Sequence, residues 1–99
     1  MIVIKARAKV KADQLDEARA ACLTMSAATA EEEANISYTF SADLADPTLI
    51  HLFEEWENEE GLQEHFATSH MGEFIVALGT VIDGDMPTTK YEVSSFGPL

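Results

Sequence analysis

"NISYTFSADLADPTLIHLFEEW", residues 35–56, reads as two strands meeting at a turn. Ile36, Tyr38 and Phe40 alternate with small polar residues, the period-two pattern of a half-buried strand, and "DLADP" supplies the Asp and Pro of a turn. In the strand that follows, Leu52, Glu54 and Trp56 share one side, while His51 and Phe53 share the other. A hairpin in mid-chain needs partners, and the flanking segments provide them.

Upstream, Ile2, Ile4, Ala6, Ala8 and Val10 alternate with Lys5, Arg7, Lys9 and Lys11, which predicts a first strand over residues 2–11. Asp13 is then placed to cap a helix carrying Leu15, Ala18, Cys22 and Met25 at helical spacing, fraying over 29–33. Downstream, Asn58 caps a helix with Leu62 and Phe66. Thr68 or Ser69 caps another with Met71, Phe74, Ile75 and Leu78 at i, i+3, i+4 and i+7. Gly79, Asp83, Gly84, Asp85 and Pro87 mark turns before a last strand in "TTKYEVSSF". The order strand, helix, strand, strand, helix pair, strand predicts an α+β, ferredoxin-like split βαβ fold. Its four-stranded antiparallel sheet has the order 4-1-3-2 and helices on one face. The other face carries Phe53 among its residues, and an exposed apolar patch there predicts a homodimer through the open sheet.

At 99 residues the chain holds one core and one domain, spanning 1–99. Its apolar and charged fractions, 46% and 24%, are those of a globular protein, and no segment approaches the roughly 20 apolar residues of a membrane span. The lysine-punctuated start lacks a signal peptide's apolar run, which leads us to expect a cytoplasmic protein. A net charge of −12 argues against nucleic acid and against anionic membrane surfaces. Cys22, the single cysteine, sits on an apolar stripe and reads as a small buried hydrophobe.

Several residues carry chemistry. Ala6 and Ala8 put two methyl groups where a filled core wants larger side chains, so either a cavity or an aromatic such as Trp56 or Phe66 lies against them. Glu54 and Trp56 point a carboxylate and an indole at one place. If that side faces the helices, Glu54 is a buried acid with a perturbed pKa. Tyr38 and Asn35 offer a hydroxyl and an amide for orienting a polar substrate. His65 and His70 suit general-base work or the bridging of two helices. Lying five residues apart across a helix break, they lack the i, i+4 spacing of a helical zinc pair, so no metal is expected. Glu55, Glu57, Glu59, Glu60 and Glu64 read as wet exterior.

The pattern Asn35-Ile-Ser-Tyr38, Asp46-Pro47, Glu54-x-Trp56, Leu62, His65, Ser69-His70 and Phe74 resembles the antibiotic biosynthesis monooxygenase superfamily over nearly the whole chain. The resemblance implies a dimeric α+β barrel with a small pocket in each subunit between sheet and helices. It implies oxidation of quinols or phenols by dioxygen with no metal or flavin cofactor. On these positions it makes His65 and His70 the base or proton relay and Trp56 and Phe74 the apolar walls, with Phe66, Ala6 and Ala8 around the same space. Glu54, Tyr38 and Asn35 become the orienting polar groups. Where many members have Pro-Gly-Cys or Pro-Gly-Asn leading into the second strand, this chain has Glu33-Ala34-Asn35, which removes a thiol mechanism there. The first strand also lacks the asparagine of the haem-degrading branch. A ligand-binding member without turnover, or an isomerase or decarboxylase of a small oxo acid, are the alternatives the same fold allows.

Overall fold

Alternation in the first strand sets the layers. In the computed structural model, which describes all 99 residues, β1 spans Ile2–Lys9. Ile2, Ile4, Ala6 and Ala8 are buried beneath the helices, whereas Lys5, Arg7 and Lys9 face out. The remaining elements are α1 (Leu15–Thr29), β2 (Asn35–Ala42), β3 (Leu49–Trp56), α2 (Glu59–Phe66), α3 (Ser69–Val81) and β4 (Thr88–Glu92). The sheet order is β2-β3-β1-β4 with every pairing antiparallel, as the sequence predicts. No helix is long and apolar enough to cross a membrane.

Register carries the alternation across the sheet. Ile4 lies opposite Glu54 on one side and Lys90 on the other, and Ala6 lies opposite Leu52 and Thr88. The helix-facing side therefore collects Ile2, Ile4, Leu52, Glu54 and Trp56, all buried, and each fully buried large apolar side chain contributes roughly 1.5–3 kcal/mol. Trp56 packs with Ile2, Ile4 and Leu62. A second cluster joins Cys22, Met25 and Phe74 where α1 meets α3, and a third joins Val10, Ala18 and Val81.

Three local expectations are corrected. Asp13 does not cap α1: it lies inside a short 3-10 turn, Ala12–Gln14, and no side chain caps the helix. The chain leaves β1 tightly, with Lys11 N–H bonded to the Val81 carbonyl and Gln14 N–H to the Lys11 carbonyl, so a backbone turn does the capping. Ile36 does not join Tyr38 and Phe40 on the inner face, because a bulge between Asn35 and Ser37 turns it outward, half exposed. Ile75 is exposed as well, since the buried stripe of α3 runs through Phe74, Leu78 and Val81 and leaves Ile75 to one side.

The caps of the helix pair agree with the sequence. Asn58 Oδ1 accepts the Gly61 N–H at 2.7 Å, and Thr68 Oγ1 accepts the Met71 N–H at 3.2 Å. Gly61 is buried against the turn that follows α1, and a Cβ there would overlap the Cβ of Ala34 and crowd Asn58 Oδ1 at 3.2 Å. Gly61→Ala is therefore expected to destabilise the protein by about 1–3 kcal/mol. Thermal unfolding checks this: a melting temperature equal to that of the parent would show that the turn yields freely.

Candidate active site

The Thr68 hydroxyl does more than cap. It donates to the His65 carbonyl at 2.7 Å while accepting from Met71, so one side chain ties the last turn of α2 to the first turn of α3. The chain reverses there, and His70 is brought back toward His65, with ring centroids 6.0 Å apart. Both rings meet one carboxylate: Glu32 Oε2 lies 2.7 Å from His65 Nδ1 and 2.8 Å from His70 Nε2. A carboxylate oxygen accepts, so the N–H groups sit on His65 Nδ1 and His70 Nε2, and the lone pairs are left on His65 Nε2 and His70 Nδ1. Spacing along one helix gave these histidines no shared face; the break between two helices gives them one.

Aromatic rings surround this His65–Glu32–His70 cluster. Trp56 lies 4.6 Å from His65 by centroids and Tyr38 5.6 Å, and the row continues from Tyr38 to Phe40 at 5.4 Å and from Phe40 to Phe74 at 5.6 Å. His65 is 1% exposed, whereas the His70 side chain is 22% exposed. His70 borders an open groove of about 250 Å³ between α1 and α3, walled by Met25, Phe74 and the alanines of α1, with Glu73 at its side. Of the two histidines, His70 is the one a ligand in the groove can reach.

Glu54 lies within the protein, and its Oε1 accepts the Trp56 indole N–H at 2.9 Å. Burial pushes its pKa up to about 7, against the lowering effect of the indole hydrogen bond, and the Glu32 charge adds to the rise. Burial likewise lifts the Tyr38 hydroxyl far above the ordinary phenol range, helped by Glu54, so Tyr38 stays neutral. The Glu54 shift has a stability consequence. The native protein holds a proton that the unfolded chain releases near 4.5, so Glu54 by itself lowers stability as pH rises from about 4.5 to 7, and its contribution is level above that. Glu54→Gln is expected to remove up to about 3 kcal/mol of that loss, leaving the variant more stable than the parent at pH 8 and equal to it at pH 4. Urea unfolding at the two pH values reads the difference, and a constant offset would assign Glu54 an ordinary pKa.

The remaining sequence candidates divide. The Asn35 amide donates to the backbone carbonyls of Ser37 and Glu55 at 3.0 and 3.3 Å and holds the β2 bulge, so it does not face the groove. Phe66 is half exposed and touches the site through one contact, its ring 5.9 Å from His65. Ala6 and Ala8 are buried, and an enclosed apolar cavity does lie beside Ala8, but Phe40, Phe74 and Met86 reduce it to about 20 Å³. That is room for roughly one water molecule. Trp56 stands away from it, over Ile2 and Ile4. Cys22 lines the same cavity, and burial pushes its thiol up to about 11, consistent with an inert side chain. Among the outer glutamates, Glu57, Glu59, Glu60 and Glu64 are exposed, while Glu55 is half-buried and accepts the Ser37 hydroxyl at 2.7 Å.

Glu32 was not singled out by sequence reasoning. It is the middle of three consecutive glutamates, and no periodicity marks which of them turns inward.

A family model described as antibiotic biosynthesis monooxygenase matches residues 1–77. An uncharacterized protein of Synechocystis sp. is 34% identical over 74 residues, which is 75% of this chain and 50% of the relative. The chain thus spans about half the length of the curated relative it matches. Among solved structures, a conserved protein from Methanosarcina mazei is 27% identical with a TM-score of 0.87, covering 91% of this chain and 89% of that one. A provisionally assigned antibiotic biosynthesis monooxygenase from Deinococcus radiodurans reaches a TM-score of 0.92 at 23% identity, over 100% and 98% of the two chains. At that identity the second likeness speaks to the fold.

Proposed function

The chain belongs to the antibiotic biosynthesis monooxygenase family, and on that footing we propose that it oxidises a small phenol or quinol with dioxygen, using no metal or flavin. The observation that carries the reading is the His65–Glu32–His70 relay, with its outer histidine on an apolar groove and its inner one packed among aromatic rings.

A phenol in the α1–α3 groove gives its hydroxyl proton to the lone pair on His70 Nδ1. Glu32 already holds the opposite nitrogen, so its negative charge faces the ring that becomes positive. The phenolate is electron-rich at the ring carbons, and one of them adds dioxygen between the apolar walls that Met25, Phe74 and the α1 alanines give the groove. The proton returns to the distal oxygen and gives a ring hydroperoxide. The O–O bond then breaks: the carbon loses its hydrogen, a carbonyl forms, and water leaves. One phenol and one dioxygen thus become one quinone and one water. Behind this row Glu54 holds the Trp56 indole N–H, and Tyr38, kept neutral by burial, packs its ring beside His65.

Oxygen uptake by chelator-treated protein supplied with simple hydroquinones is the test. Turnover that appears only on adding a metal or flavin would overturn the reading. Binding of an aromatic ligand without oxygen uptake would favour a non-catalytic member of the family.

The proposal includes a homodimer through the open sheet face. Phe53 and Tyr91 are each about half exposed there, and Lys5 and Arg7 form no ion pair within the chain, whereas Lys9 reaches Asp46 at 3.1 Å. A second copy would cover the rings and bring acidic groups to the two free cations. Phe53→Glu is expected to convert a dimer to a 10.8 kDa monomer in light scattering. A parent protein that already runs as a monomer would refute the interface.

A further inference from the structure

The same three side chains have a second chemistry. His65 Nδ1, His70 Nε2 and a Glu32 carboxylate oxygen lie within 4.8 Å of one another, and they come from α2, α3 and the turn between α1 and β2. We propose that this cluster is a binding site for a divalent transition-metal cation of the zinc class, and that its occupancy switches the proton relay off. The switching half rests on the proposed function above; the site itself does not.

Two imidazole nitrogens with one carboxylate favour zinc, cobalt or nickel over magnesium or calcium, which prefer all-oxygen shells. A tetrahedral ion with bonds of about 2.0–2.2 Å holds its donors about 3.4 Å apart. The two hydrogen bonds, 2.7 and 2.8 Å, must therefore open by about 0.6–0.7 Å, and the nitrogens must draw together. The parts that must give are the ones placed to do so. Glu32 sits on the turn between α1 and β2 and His70 in the first turn of α3, while His65 is the fixed ligand, held against Trp56. The cation can enter from the groove, where His70 is partly exposed beside Glu73, and a chain of net charge −12 concentrates cations at its surface. Three protein donors leave a fourth position for water.

Proton bookkeeping explains the inhibition. In the relay, the hydrogens sit on the two nitrogens that face Glu32. When those nitrogens bind the cation, each neutral ring moves its hydrogen to the remote nitrogen, with no net release. His70 Nδ1 then carries a hydrogen, and the lone pair that would accept the phenol's proton is gone.

Cobalt(II) is the probe, because a four-coordinate site with nitrogen donors gives strong visible absorption that does not depend on turnover. Metal-stripped protein titrated with cobalt chloride should develop that spectrum at one equivalent, and zinc should displace it. Glu32→Gln and His70→Gln, each checked for fold by circular dichroism, should weaken binding about 100-fold, since losing even an outer partner of a metal ligand costs 10–100-fold. No visible band at millimolar cobalt, or a band untouched by both substitutions, would overturn the site. One equivalent of zinc should also abolish oxygen uptake, and a chelator should restore it. Zinc bound at one equivalent with turnover intact or raised would overturn the switch. A cobalt spectrum in a protein that never consumes oxygen would sink the proposed function and leave the site standing.

Discussion

On the proposed chemistry, Glu32→Gln is expected to lower kcat for hydroquinone oxidation about 100- to 1,000-fold with KM little changed, within the range usual for positioned acid–base groups. The substitution keeps the shape of the side chain but asks an amide to face two N–H donors. One oxygen can accept from one ring; the other ring meets an NH2 group and must turn or change tautomer. The charge opposite the ring that takes the proton is lost as well. Substrate binding survives because Glu32 does not line the groove, whose walls are on α1 and α3. Single-turnover kinetics with a hydroquinone measures the effect, and the pH profile of kcat should change shape with it. Glu64→Gln, exposed on the same helix as His65, serves as the reference and should leave kcat within about 2-fold, as surface substitutions do. Equal rates in the two variants would remove Glu32 from the mechanism and leave a single histidine acting alone.

How much of this was legible beforehand depends on what each residue's neighbours reveal. Strand alternation from Ile2 to Ala8 and from Leu52 to Trp56 names the buried face without reference to anything distant, and the order of elements then leaves one sheet order, the one observed. Asn58 and Thr68 were readable because a cap acts on a backbone three residues away. Local pattern fails where a contact is long-range. Glu32 is 33 residues from His65 and 38 from His70, and nothing separates it in sequence from Glu31 or Glu33. The same limit denied His65 and His70 a shared face, since helical spacing cannot describe two residues on either side of a chain reversal. It also misidentified what fills the space at Ala8: small residues there were visible and Trp56 or Phe66 was the expected filler, but the rings that arrive are Phe40 and Phe74, from β2 and α3.

Trp56→Ala carries the largest expected loss of stability, about 3–5 kcal/mol, against a total of 5–15 kcal/mol for an ordinary domain. The indole is fully buried, and its removal leaves Ile2, Ile4 and Leu62 facing a void that the sheet backbone cannot close. A second loss is superimposed, because Glu54 gives up its only indole donor while staying buried. Trp56→Phe separates the two: most of the volume remains and the N–H does not. Without that hydrogen bond the Glu54 carboxyl is held still higher than about 7, so the native state keeps its proton over a wider range and stability declines further on the alkaline side. The expected cost of Trp56→Phe is therefore about 1–2 kcal/mol at pH 5 and about 1 kcal/mol more at pH 8. Urea unfolding of both variants at both pH values measures this, and adding Glu54→Gln to Trp56→Phe should erase the pH-dependent part alone. A cost for Trp56→Phe that is the same at pH 5 and pH 8 would mean that the indole supports the core but not the acid. The packing loss also reaches the site: the His65 ring packs tilted against the indole with centroids 4.6 Å apart, so the residue that holds this end of the sheet also holds that ring in register with Glu32.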